Sequence, residues 1–456
     1  MRRSPIRRST SRDRQGAVFR FVLAATVLLA SGFAATPPAV SARQALDLLL
    51  NGRYEEFNRL LTDTAKTLLT PEFLRDRVAA EIQGFGTLVQ VGEPETAKAG
   101  GNDLVSFPTH FTKATIAIQL TINDAGRVAA LHFRPASDPL PATWVRPAYS
   151  NPALFREQAV TVGEDPWKLA GTLTVPVKPG RFAAVVLVHG AGPNDRDESI
   201  FANKMFEDIA EGLSSRNIVV LRYDKRTRTY ASQMSGTDYT LREETIEDAV
   251  RAVALLRKQP EVDPERVYVL GHSLGGYALP RIISECAKQN TPVAGAIFLA
   301  ANARHVEEVG LDQAEFMLKD GGAPDKLKQL EALKGQVEMV RHLDPAKQYP
   351  STLLGLPVVY FFDLKSYDPV AESARLQMPL LFLQGDRDFQ VTMKDFGLWK
   401  AGLAGSQQAS FRNYPGLNHL FIPGEGPGSP AEYAKPGNVA PEVIDNIAQW
   451  LSARKR

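Results

Sequence analysis

Cysteine is almost missing from this 456-residue chain: Cys286 stands alone. One thiol can form neither an internal disulfide nor a multi-thiolate zinc site. Its place in helical text after Ser273 suits a small buried packing residue. A basic excess is missing too. The formal net charge is +2, but residues 1–20 hold seven arginines and one aspartate, so residues 21–456 carry −4. A mildly acidic body lacks the basic face that nucleic acid requires. Nucleotide-binding signatures fail on single residues. Gly190-Ala191-Gly192 would need glycine at 195 for a dinucleotide fingerprint, and Asp195 stands there. Gly271 to Gly276 has P-loop spacing, but Tyr277 replaces the lysine. No internal repeat is found.

What is present is globular. Hydrophobic residues make up 44% and charged residues 23%, in a length that suggests two or three domains. The arginine-rich start runs into FVLAATVLLASGFAA at 21–35. A basic stretch, a short apolar core and then small residues make an export signal, assigned to residues 1–42. Val40-Ser41-Ala42 and Gly32-Phe33-Ala34 are its two candidate cleavage sites. The apolar run is shorter than the ~20 residues that span a bilayer. The expected location is periplasmic or secreted, with membrane attachment only if the segment stays uncleaved.

Residues 43–84 carry helical periodicity, with Thr70-Pro71 as a cap and first-turn proline. Residues 86–134 then read as strands: GTLVQVG, DLVSFPTHF, ATIAIQLTI and RVAALHFRP. Residues 43–134 are thus expected as a small α+β domain, followed by a proline-rich linker at 135–157. From 158 to 456 short apolar runs alternate with helical stretches, the pattern of a mostly parallel sheet buried on both faces. Charged helical text and LPVVYFF interrupt this rhythm at 302–376, read as a cap inserted over the carboxyl edge of the sheet. Tyr360, Phe361 and Phe362 are expected to shape an acyl pocket there.

The chemistry centres on VYVLGHSLGGYALPRII, residues 267–283. A strand entering Gly-x-Ser-x-Gly and leaving as a helix is a nucleophile elbow: the corner strains the serine backbone and projects its hydroxyl above the sheet. A hydroxyl is a poor nucleophile alone, so Ser273 needs a base and the base needs an orienting carboxylate. Of seven histidines, only His419 lies after both the serine and the last sheet strand. LFLQGDRDFQV offers Asp386 and Asp388 between them. Asp388, three residues past Gly385, is preferred, with Asp386 as a turn residue binding its own backbone. Oxyanion donors are expected from the amides of Leu274 and Ala191, the latter in the loop after VVLVHG. The charged run Asp195-Arg196-Asp197-Glu198 suits a site rim or a solvated loop and receives no role.

Together these motifs resemble the α/β-hydrolase superfamily, nearest to bacterial esterases and serine-aminopeptidase-like hydrolases. HGAGPNDRDES (189–199), VLRYDKR (220–226), GHSLGG (271–276), LQGDRDFQV (384–392) and YPGLNHLF (414–421) carry the likeness. One departure is Thr227-Arg228-Thr229-Tyr230, where relatives have a glycine-rich turn. The N-terminal unit loosely resembles an uncharacterised bacterial domain of cystatin-like or nuclear-transport-factor-2-like outline that precedes hydrolases. The resemblance implies an α/β-hydrolase fold with a helical cap, Ser273 as nucleophile, Asp388 as orienting acid and His419 as base. It implies a small-molecule ester or acyl substrate, with no metal or cofactor. Peptide or thioester hydrolysis would use the same residues, and a non-catalytic envelope binding protein is the remaining alternative.

Overall fold

The computed structural model describes residues 38–99, 101–135, 144–234, 236–318 and 324–453. Most of the expected export segment therefore lies outside the described residues. Its last five residues do not: they open a helix, Pro38–Leu50, on which Ala42, Ala45, Leu46 and Leu49 are buried at helical spacing. The expected boundary at 42 thus falls inside a packed element. The chain divides into two compact units, Met1–Leu140 and Pro141–Arg456.

In the first unit, short helices up to Gly84 precede an antiparallel sheet. Thr70 accepts a hydrogen bond from the Phe73 amide at 3.2 Å and Pro71 opens the helix, as its sequence suggested. Strand Asn102–Phe111 pairs with Leu88–Val91, Glu95–Ala99 and Thr115–Ile122, and Val128–Pro135 closes the sheet. Leu46, Phe57, Leu74, Phe107, Ile118 and Leu120 share its core. The strand Glu95–Ala99 is an addition. Its ETAKA sequence has weak strand propensity, but Ala99 pairs with Asn102 across Gly100-Gly101, a hairpin signal present in the sequence.

The second unit is built on eight strands: β1 (Phe155–Val162), β2 (Leu169–Pro176), β3 (Phe182–Val188), β4 (Val219–Tyr223), β5 (Val262–His272), β6 (Gly295–Leu299), β7 (Leu380–Gly385) and β8 (Ala409–Tyr414). Their spatial order is β8-β7-β6-β5-β3-β4-β2-β1. β1 and β2 pair antiparallel, as do β2 and β4, and every other neighbour is parallel. Alternation splits the strands between two cores. Ala184, Val186 and Val188 of β3 join one, with helices α2 (Glu247–Arg257) and α3 (Leu274–Lys288). Ala183, Val185 and Leu187 join the other, with α1 (Met205–Ser214) and the C-terminal helix Pro441–Ser452. A strand apolar at every position is the signature of a sheet covered on both faces. Cys286 is fully buried on α3, and burial pushes its thiol up to about 12.

Two expectations need correction. The proline-rich stretch is no free tether over its described part. Trp144 donates to Asp208 at 2.9 Å, and Arg146 and Ser150 donate to Glu211, so the stretch is fastened to α1. β1 then begins at Phe155, inside the expected linker. The second correction concerns the insertion between β6 and β7, which holds α4 (Val306–Leu318), α5 (Pro324–Arg341) and α6 (Val358–Leu364). Tyr360 and Phe361 are each almost fully buried, Tyr360 in the sheet-side core and Phe361 with Val340, Leu343 and Leu353. Phe362 packs edge-on to Tyr349. Successive helical residues point about 100° apart, so three in a row on α6 cannot line one pocket.

Candidate active site

Four loops meet the carboxyl edge of the parallel strands, the place where open α/β sheets bind ligands. They follow β3, β5, β7 and β8 and carry Gly190, Ser273, Asp388 and His419. Ser273 caps α3 with φ 51° and ψ −118°, a left-handed backbone that a β-carbon strongly disfavours. Glycine makes the corner possible. A β-carbon on Gly271 would strike the backbone of Gly275, and one on Gly275 would strike the carbonyl oxygens of Val188 and His189. One on Gly276 would strike Ala301.

Asp388 and His419 come together. His419 Nδ1–H donates to Asp388 Oδ2 at 2.7 Å, and both residues are buried. Asp388 is held in turn: Oδ1 accepts the amides of Gln390 and Val391 at 2.8 and 2.9 Å, and Oδ2 accepts Gln384 Nε2 at 3.0 Å. With Nδ1 committed, the lone pair of His419 sits on Nε2, the nitrogen a general base must use. Among the described residues Ser273 Oγ makes no hydrogen bond. Contacts between nucleophile and base are commonly long without substrate and tighten when it binds. Asp386 is exposed and stands apart. It accepts the Gly416 amide at 2.8 Å, so it braces the histidine loop rather than its own turn.

The loop after β3, where the sequence places an oxyanion donor, lies against the serine. A β-carbon on Gly190 would stand 3.1 Å from Ser273 Cβ. The Gly190 amide is spent on Glu198 Oε1 at 2.7 Å. The amides of Ala191 and Leu274 have no partner among the described residues, and Leu274 opens α3, where the helix field favours negative charge.

Sequence reasoning missed one pair. Glu198 is no solvated loop residue: it is 4% exposed. His272 Nδ1–H donates to its Oε2 at 3.0 Å, while His272 Nε2–H donates to the His419 carbonyl at 3.1 Å. Burial alone would lower the His272 pKa, but the Glu198 carboxylate, the His419 carbonyl and Asp388 outweigh it and raise the value. Burial likewise works to raise Glu198, and a set of groups led by His272 more than offsets it, leaving Glu198 lowered. The pair therefore ties the loop after β3, through the Gly190 amide, to the loop after β8, through the His419 carbonyl. The neighbouring charges are paired too: Asp197 with Arg222 and Lys204, and Arg196 with Asp224 at 2.8 Å. His189 follows β3 and lies between Phe206 and Tyr223, and burial pushes its pKa down to about 4, so it is a neutral packing group.

A family model described as the alpha/beta hydrolase family matches residues 185–435. The chain belongs to the alpha/beta hydrolase family. Esterase EstD of Thermotoga maritima is 39% identical over 371 residues, covering 81% of this chain and 82% of that protein. Such a share exceeds the second unit alone, so the likeness reaches into the first. Solved structures align more distantly. Est1E from Butyrivibrio proteoclasticus matches at TM-score 0.43 and 16% identity, over 65% of this chain and 99% of that one. A puromycin-hydrolyzing peptidase of Mycobacterium tuberculosis matches at TM-score 0.43 and 16% identity, over 80% and 47%.

Proposed function

We propose that this alpha/beta hydrolase cleaves carboxylic esters through an acyl-enzyme on Ser273. The buried 2.7 Å contact between His419 and Asp388, beside a serine strained on a strand–helix corner, carries this reading. The 39% identity to a named esterase supports the ester as substrate. Ser273 Oγ attacks the carbonyl carbon while His419 Nε2 takes its proton. Asp388 fixes the tautomer and stabilises the imidazolium. The tetrahedral oxyanion rests on the Ala191 and Leu274 amides, each such donor contributing about 3–4 kcal/mol. As the C–O bond breaks, His419 returns the proton to the leaving alcohol. Water then attacks the acyl-serine, its proton passing through His419 to Ser273 as the acid departs.

The chain is proposed to be exported on its N-terminal segment, on the basic start and short apolar core of residues 1–35.

The test is fluorophosphonate labelling alongside turnover of p-nitrophenyl esters and aminoacyl anilides, with wild type and Ser273→Ala in parallel. Labelling and ester turnover are expected to vanish in the variant. Labelling that persists would remove Ser273 from its role, and faster turnover of anilides than of esters would make the enzyme a peptidase.

A further inference from the structure

The loop that carries the Ala191 donor is gripped at its carbonyl as well as at its amide. Lys225 Nζ donates to the Gly190 carbonyl at 2.7 Å and to Glu244 Oε1 at 2.6 Å. Tyr360 Oη donates to the other oxygen, Glu244 Oε2, at 2.6 Å. These side chains come from three places: the end of β4, the turn into α2, and α6 of the insertion. All are buried, with Lys225 2%, Glu244 5% and Tyr360 1% exposed.

The carbonyl of Gly190 and the amide of Ala191 belong to one peptide group. Asp165-Pro166 is the only cis bond among the described residues, so this peptide is trans and its C=O and N–H point in opposite directions. Whatever fixes the carbonyl therefore aims the N–H. An ammonium on the carbonyl also draws electron density across the peptide and strengthens the N–H as a donor. Asn194 Nδ2 adds a weaker contact to the same carbonyl at 3.2 Å. Stability alone gives no reason for the pair. Apolar replacements of a buried ion pair are often neutral or stabilising, whereas a donor aimed in advance at developing charge needs fixed partners.

We propose that Lys225 is the positioning residue of the oxyanion site. Held by Glu244, it fixes and polarises the Gly190–Ala191 peptide, and Tyr360 ties that device to the insertion. The proposal rests on the reading of Ala191 as an oxyanion donor for an acyl-enzyme on Ser273.

The test compares wild type with Lys225→Met/Glu244→Gln, which removes the cation without stranding a buried carboxylate, and with Tyr360→Phe. Steady-state ester hydrolysis is measured with the inhibition constant of a trifluoromethyl ketone, whose adduct places an oxyanion in the same position. The double variant should lose about 10–100-fold in kcat, less than the ~10²–10³ that follows loss of a whole donor. KM should stay within about twofold, and ketone affinity should fall in step with kcat/KM. Tyr360→Phe should show the same pattern at about threefold. A merely structural role would lower the unfolding temperature without this parallel. Wild-type kcat and ketone affinity in the double variant, with Ser273 still labelled by fluorophosphonate, would overturn the positioning role alone. If the double variant does not fold, unchanged kcat and ketone affinity in Tyr360→Phe overturn it. Absence of fluorophosphonate labelling at Ser273 in wild type overturns the parent reading and this one with it.

Discussion

Asp386 and Asp388 stand two residues apart at the end of β7 and serve different loops. Asp388 meets His419 Nδ1 at 2.7 Å, whereas Asp386 meets the Gly416 amide at 2.8 Å. Asp388→Asn keeps the shape but offers an amide where His419 needs a carboxylate, so the ring can settle in the wrong tautomer. A loss near ~10⁴ in kcat is expected. Asp386→Asn retains an oxygen for Gly416 and should stay within about threefold, as steady-state kinetics of the two variants will check. Which of these carboxylates meets His419 was legible because distance from the strand end sets where a side chain can turn. Glu198 was not. Its partner His272 lies 74 residues on, and a run of alternating charges reads as solvated until tertiary packing closes over it.

At the scale of elements, the elbow is the best-encoded feature, since a strand, a corner and a helix follow one another within 17 residues. Its glycines answer to space as well as to conformation. Gly275→Ala would drive a β-carbon into the carbonyl oxygens of Val188 and His189, which belong to the end of β3 and the loop beside it and cannot swing aside. Urea unfolding should show a loss of about 3 kcal/mol or more. Gly310→Ala on α4, with nothing within 4 Å, should be neutral or stabilise by up to about 1 kcal/mol. The pairing of elements was less legible. LPVVYFF promised a pocket by its composition, but helical rotation sends Tyr360 and Phe361 into separate cores.

Between elements, the Glu198–His272 pair makes stability depend on pH. His272 is raised in the folded state, so its contribution is complete below its ordinary value of 6.5 and fades as pH rises through the raised one. Glu198 is lowered, so its contribution is complete above 4.5 and fades as pH falls through the lowered value. The pair thus stabilises most in mildly acidic solution. Between pH 6 and 9 the thermal midpoint of wild type should decline more steeply than that of His272→Gln. Parallel slopes would show that the ring carries no extra proton in the folded protein.

The whole molecule joins a hydrolase unit, read from ordered motifs, to an α+β unit read only from periodicity. That difference explains what each disclosed. Catalysis constrains residue type and chain order, whereas a packed helix on a sheet constrains only apolar spacing, which leaves its ends open. The N-terminal end bears on the proposed export. Cleavage after Ala42 would remove the first five residues of the helix Pro38–Leu50, including Ala42, which is fully buried with Leu46 and Phe107. Cleavage after Ala34 leaves that helix whole. A processed chain must keep the residues its core uses, so the second site is the one compatible with the fold. Expression of the full chain in a Gram-negative host, periplasmic fractionation and N-terminal sequencing should give a start at Ala35. A start at Arg43 would mean that the helix forms without its first turn, and a cytoplasmic chain beginning at Met1 would mean that the segment is no export signal.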